Sequence, residues 1–196
     1  MLEFAAAVFF LIITPGPGVL SAAGVGSGYG YRAGFAYVAG LCVGNALVGA
    51  AVVSGVAAVA LAQPGLREVL LWGSAAYLLW LAAKIAFAGA RIAFIHSERA
   101  PGFWNGLALQ PINPKAYAVN TALFSGFAFM PGALAAETAI KFAILNAIWI
   151  PIHLLWLWAG VTLRRLDLDP KVQRAINMAM ALSMLAVVAI AVAAQL

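Results

Sequence analysis

From Ala33 to Leu66 the chain runs for 34 residues without an Asp, Glu, Lys or Arg. A helix needs only about 20 mainly apolar residues to cross a bilayer. Cutting the sequence at charges and turn residues predicts six such stretches, at about 3–25, 34–62, 68–90, 103–130, 134–162 and 174–195. Inside hydrocarbon every backbone N–H and C=O must be satisfied by the segment itself, so stretches of this length are read as α-helices. The composition agrees: 65% of the 196 residues are hydrophobic and 9% charged, against about 25% charged in soluble domains. The predicted fold class is an all-α integral membrane protein with six transmembrane helices.

The connections fall at 28–33, 63–67, 90–101, 130–132 and 164–174, none long enough for a soluble domain. Residues 1–196 are therefore read as one transmembrane unit. Ser21-Ala22-Ala23 superficially resembles a cleavage site after the apolar AAAVFFLIIT. A signal peptide wants a basic leader, however, and the only early charge is Glu3, so the stretch is read as a retained first span.

The net charge of +5 comes without a basic run or a nucleic-acid motif. In a membrane protein such an excess records cytoplasmic loops beside anionic lipid. One face collects Arg32, Arg91, Arg99, Arg164, Arg165, Lys171 and Arg174, while the other holds little beyond Arg67. This asymmetry predicts both termini outside the cytoplasm, with Lys84 snorkelling from the inner end of the third span. The lone Cys42 excludes an internal disulfide, a CxxC pair and a thiolate metal cage, and is read as a small buried apolar residue. GxSxG, HExxH and P-loop patterns are absent, so neither an enzyme nor a bound cofactor or metal is predicted. Gly24 and Gly28, Gly30 and Gly34, and Gly40 and Gly44 are each four apart, which places small residues on one helical face for close packing.

Two interruptions lie inside the apolar stretches, Thr14-Pro15-Gly16-Pro17 and Asn113-Pro114-Lys115. Their centres, residues 16 and 114, are 98 apart, half the chain length. Each half holds three spans, an odd number, so the second half re-enters the membrane inverted: two three-helix repeats, about 1–98 and 99–196. The first break comes roughly 16–21 Å from its entry and the fourth-span break roughly 12–18 Å from the other side, at 1.5 Å per residue. Both fall near the middle of a core about 30 Å thick.

Proline removes a backbone donor and displaces the carbonyl four residues back. The freed groups must be buried in protein or line a wet cavity. Proline also suits the first position of a helix. Pro15 or Pro17, and Pro114, are thus read as opening second half-helices whose N-terminal amides favour an anion. Lys115 adds a whole positive charge at a depth where one costs about 2.5–3.5 kcal/mol, which marks a functional site. The reading is a two-sided cradle for a carboxylate, with Thr14, Pro15, Gly16, Pro17, Asn113, Pro114 and Lys115 as substrate-binding residues. The competing reading, that the prolines merely kink two packed helices, does not account for the matched positions or the lysine.

At these residues the chain resembles the LysE/RhtB family of small inner-membrane exporters of amino acids and related metabolites. The likeness is carried by Thr14-Pro15-Gly16-Pro17, GYGYRAGFAYVAGLCVG (28–44), GSAAYLLWLAAK (73–84) and FWNGLALQPINPK (103–115). It covers the first 130 residues and fades to hydropathy beyond them. The resemblance implies a bacterial inner-membrane protein that exports a small zwitterion, driven by the proton motive force. It also implies a central site at Pro15, Gly16, Pro17, Asn113, Pro114 and Lys115. Gly18 stands where a polar residue commonly follows the family's Pro-Gly-Pro motif, and Asn45 where some members carry an acidic residue. A homodimer is compatible with the likeness; a nucleic-acid partner is not expected.

Glu137 and Lys141, four apart at the outer start of the fifth span, are read as a solvated or snorkelling ion pair, with proton relay as the alternative. His153, beside Pro151, is the residue type whose unperturbed titration lies near neutral pH, as proton coupling would need; the alternative is a histidine hydrogen-bonded between helices. Asn45, Asn120, Asn146 and Asn177 either bond across helices or line a pathway. The rival functions are a divalent-metal or other small-solute exporter of a related family, a lipid-modifying membrane enzyme, and a non-transporting membrane subunit. The midplane has no acidic or thiol cluster for a metal, since Asp167 and Asp169 lie in a loop.

Overall fold

The computed structural model describes residues 1–55, 100–130 and 132–166 continuously, with scattered positions between 63 and 83 and between 169 and 186. Much of the third and sixth predicted spans lies outside the described residues, as do Arg67, Lys84, Arg91, Arg99 and Asn177. The helices are α1 (Leu2–Ile13), α2 (Pro17–Val53), α3 (Phe103–Ile112), α4 (Pro114–Gly126) and α5 (Leu134–Arg165). All regular structure among the described residues is helical.

α2 is two legs of a hairpin. Gly30 has φ 79° inside it, a non-helical conformation in the region that glycine enters without steric cost. A Cβ built on Gly26 would lie 2.9 Å from Leu157 Cδ1, and one built on Gly34 would meet the same atom. Two residues eight apart in a straight helix are separated by about 12 Å. They can share one methyl group only if the chain reverses between them. The predicted loop at 28–33 is thus compressed to a reversal at one glycine.

Contacts at the two ends give the helix directions. Phe4, near the start of α1, packs on Phe127 just past α4, with ring centroids 5.9 Å apart, and lies 5.9 Å from Lys141 Nζ near the start of α5. At the other end the Arg165 guanidinium sits 5.2 Å from the ring of Tyr31, beside the hairpin turn. α3 climbs alongside the second leg of α2 in the same direction: Gly40 faces Phe103 and Leu107, and Gly44 faces Leu107 and Gln110. The chain from α3 to α4 therefore runs opposite to the chain from α1 into α2.

Glycine sets how close these helices come. Cβ atoms on Gly40 and Gly106 would strike the backbone of the facing helix at Phe103 and Tyr37, and one on Gly160 would strike the Ala23 backbone. This is the close approach that the Gly40/Gly44 spacing predicts. Phe4, Val8 and Ile12, spaced by four, turn one face of α1 into the buried core, while Phe10 (67% exposed), Trp104 (76%) and Trp158 (54%) point outward. Large apolar side chains so exposed suit a surface solvated by lipid rather than water.

Three expectations change. Glu137 and Lys141 do pair, Oε1 to Nζ at 2.8 Å, but the pair is buried rather than solvated. Glu137 Oε2 accepts the backbone N–H groups of Phe129 and Met130, and Lys141 Nζ donates to the Phe124 carbonyl. The pair thus ties α5 to the chain leaving α4. Cys42 is only half-buried, with Sγ 3.7 Å from Asn146 Oδ1. His153 bonds within its own helix rather than between helices, as described below.

Candidate functional site

The first break separates α1 from α2 over Thr14, Pro15 and Gly16, so the proline that opens the second half-helix is Pro17. The second break is a single residue, Asn113, between α3 and α4. α1 is 12 residues long and α3 is 10, so the breaks lie about 18 Å and 15 Å along their helices. They meet. Lys115 Nζ donates to the Thr14 carbonyl at 2.6 Å, and a Cβ on Gly16 would lie 2.7 Å from Lys115 Cδ. Two segments 101 residues apart in sequence are joined through one ammonium group.

The broken ends are satisfied unequally. Thr14 Oγ1 donates to the Phe10 carbonyl at 2.6 Å, one of the four that the end of α1 leaves without a helical partner. The Lys115 cation on the Thr14 carbonyl, just past the last turn, suits the negative end of the α1 dipole. At α4, Asn113 Oδ1 accepts from the Lys115 backbone N–H, and Asn113 Nδ2 donates to Gln110 Oε1. That N-terminus is capped by its own chain. At α2 the N-cap is Gly16, with no side chain to offer, and Pro17 has no N–H. The amides of Gly18 and Val19 are left as first-turn donors without helical partners. The cradle expected to be two-sided is therefore open on the α2 side and closed by Asn113 on the α4 side.

These groups surround a cavity of about 40 Å³, room for a few water molecules. Of the residues singled out from the sequence, Thr14, Gly16, Asn113 and Lys115 line it, and Pro15, Pro17 and Pro114 do not. Glu137 lies elsewhere, in the clamp described above, and only His153 of the two proposed proton carriers reaches the cavity. The sequence reading gave no role to Gln110, Gly18 or Trp149, which also line it. Gln110 was legible in principle: it stands three residues before Asn113, on the same face of the last turn of α3.

His153 is 3% exposed. Its Nδ1 is 2.9 Å from the Trp149 carbonyl, which can only accept, so Nδ1 carries a hydrogen and Nε2 is left as the acceptor. The imidazole stacks on the Trp149 indole with centroids 3.4 Å apart and planes 15° apart. A Cβ on Gly18 would lie 3.2 Å from Nε2, so a larger residue there would occupy the space before this nitrogen. At the cavity wall, Asn120 Nδ2 donates to Asn45 Oδ1 and to the Ala116 carbonyl, joining α4 to α2. Asn146 donates to Phe142 within α5.

A family model described as LysE type translocator matches residues 9–195. The chain belongs to this family. The match reaches past residue 130, where the resemblance read from motifs had faded to hydropathy. As a LysE type translocator the protein is membrane-embedded and moves amino acids or other small solutes; it is not an enzyme. No curated protein and no solved structure matches the chain significantly.

Proposed function

We propose that this translocator exports an amino acid or a similar small zwitterion across the bacterial inner membrane, driven by the proton motive force, with both termini outside the cytoplasm. The observation that carries the reading is the Lys115 ammonium group, placed where two oppositely directed broken helices meet. The substrate carboxylate displaces the Thr14 carbonyl from Lys115 and takes the amides of Gly18 and Val19, which have no helical partners, at the positive end of α2. The freed Thr14 carbonyl is then available to one of the three N–H groups of the substrate ammonium. A divalent cation would instead meet a like charge at Lys115, which disfavours the metal-exporter alternative.

The substrate sits between walls lined by Thr14, Gly16, Asn113, Lys115 and His153. The walls belong to both halves of the chain, in keeping with two inverted repeats, about 1–98 and 99–196, that rock around a fixed central site. Lys115→Gln keeps most of the side-chain length and removes the charge. The expected outcome is loss of efflux, with accumulation of the solute in cells, while expression and membrane insertion stay normal. Full efflux by that variant removes the lysine from the mechanism.

A further inference from the structure

We propose that the substrate ammonium group and the coupling proton compete for one lone pair, that of His153 Nε2, so that occupation by either excludes the other. The proposal rests on the reading of the cavity as a zwitterion site and adds the residue that couples transport to protons.

The geometry sets this nitrogen apart. The other ring nitrogen is engaged by the Trp149 carbonyl, which holds the imidazole with Nε2 over the first turn of α2, beside Gly18. Nε2 has no hydrogen-bond partner among the described residues, on a side chain that is 97% buried, and it borders the cavity. The carboxylate subsite, formed by Lys115 and the start of α2, borders the same cavity. A carboxylate held there leaves the ammonium of the same α-amino acid to reach for Nε2. The indole beneath the ring also tolerates a positive charge, because a cation over Trp is attracted to its face.

Few other groups could do this work. Facing His153 around the cavity, α4 contributes Lys115; the break after α1, α2 and α3 contribute the neutral Thr14, Asn45 and Gln110. On α5 itself, Glu137 and Lys141 lie 16 and 12 residues away, about 24 and 18 Å along the helix. Both oxygens of Glu137 are engaged by Lys141, Phe129 and Met130. Arg164 and Arg165 lie 11 and 12 residues the other way, and Arg32 of α2 is beside the hairpin turn at Gly30.

Competition gives the direction of transport. In the less acidic cytoplasm Nε2 is unprotonated and accepts the ammonium. Facing the acidic exterior, a proton from water binds Nε2, and the new imidazolium repels the ammonium into solution. The protonated carrier returns inward and releases the proton to cytoplasmic water. One proton enters for each zwitterion that leaves, so one positive charge moves inward per cycle.

The test uses the full chain in proteoliposomes with a panel of radiolabelled neutral L-amino acids. For the wild type, the half-saturating concentration in counterflow should rise about tenfold per pH unit below the titration of the histidine and be flat above it, as reciprocal exclusion requires. His153→Gln offers an acceptor that cannot be protonated. It should exchange more weakly, lose the pH slope, and no longer accumulate label when a pH gradient is imposed. A variant with the wild-type slope and gradient-driven accumulation overturns the proposal. If the variant fails to insert, calorimetry of the wild type in buffers of different ionisation enthalpy counts the protons directly. One proton released per substrate bound at acid pH supports the competition, and none overturns it. A wild type that exchanges no member of the panel overturns the zwitterion reading itself, a failure distinguishable from that of His153 alone.

Discussion

Glu137 and Lys141 illustrate how much one pair of residues can conceal. Their spacing of four announced an ion pair, and the pair forms. What covers it comes from elsewhere: the rings of Phe4 and Phe129 lie 5.9 and 5.6 Å from Lys141 Nζ. Removing one member of a buried pair leaves an uncompensated charge and costs about 3–5 kcal/mol, whereas replacing both by apolar groups is often nearly neutral. Glu137→Met is therefore expected to lower the thermal midpoint in detergent sharply, and Glu137→Met with Lys141→Met to recover most of the loss. Recovery absent from the double variant would mean that the bonds of Glu137 to the Phe129 and Met130 backbone outweigh the pair. Gly18 is legible in a similarly partial way. The sequence marks it as a departure from its family, and only the fold puts His153 Nε2 in front of it.

At the scale of elements, the breaks were legible because proline chemistry is local: the ring removes a donor wherever the chain goes. Pro17 and Pro114 both open helices. The Gly40 and Gly44 spacing was legible too, whereas Gly30, expected to share a helical face with Gly34, is the turn itself; which glycines are indispensable depends on what faces them. A Cβ on Gly40 meets the backbone of α3, which cannot yield, whereas one on Gly49 lies 2.9 Å from the Phe142 ring, a side chain that can shift. A Cβ on Gly126 meets nothing within 4 Å. Overpacking of a tight contact costs about 1–3 kcal/mol, and more where the backbone must move. Melting temperatures in detergent are expected to fall most for Gly40→Ala, less for Gly49→Ala, and not at all for Gly126→Ala. Equal effects at Gly40 and Gly126 would contradict the close packing of α2 on α3.

For the whole molecule, the excess of Lys and Arg in the loops of one face predicts that this face is the cytoplasmic one. Leu2 is 84% exposed at the end that holds Phe4 and the start of α5; Asp169 is exposed beyond the end of α5. In a Cys42→Ala background, Leu2→Cys should react with an impermeant maleimide in intact cells, and Asp169→Cys only after permeabilisation. The reverse pattern would invert the topology and with it the proton direction proposed for His153.

The sequence by itself determined the solvent, the described helices, the two interruptions and the charge at one of them, because hydrophobicity, proline geometry and the cost of a buried ion act over a few neighbouring residues. It could not determine that Lys115 reaches Thr14, that Asn113 closes one helix end while Gly16 leaves the other open, or that Trp149 and His153 complete the cavity. Those facts depend on which distant segments come into contact. Segments as far apart as residues 14, 115 and 153 are brought together only when helices of opposite direction pack at a spacing their glycines allow.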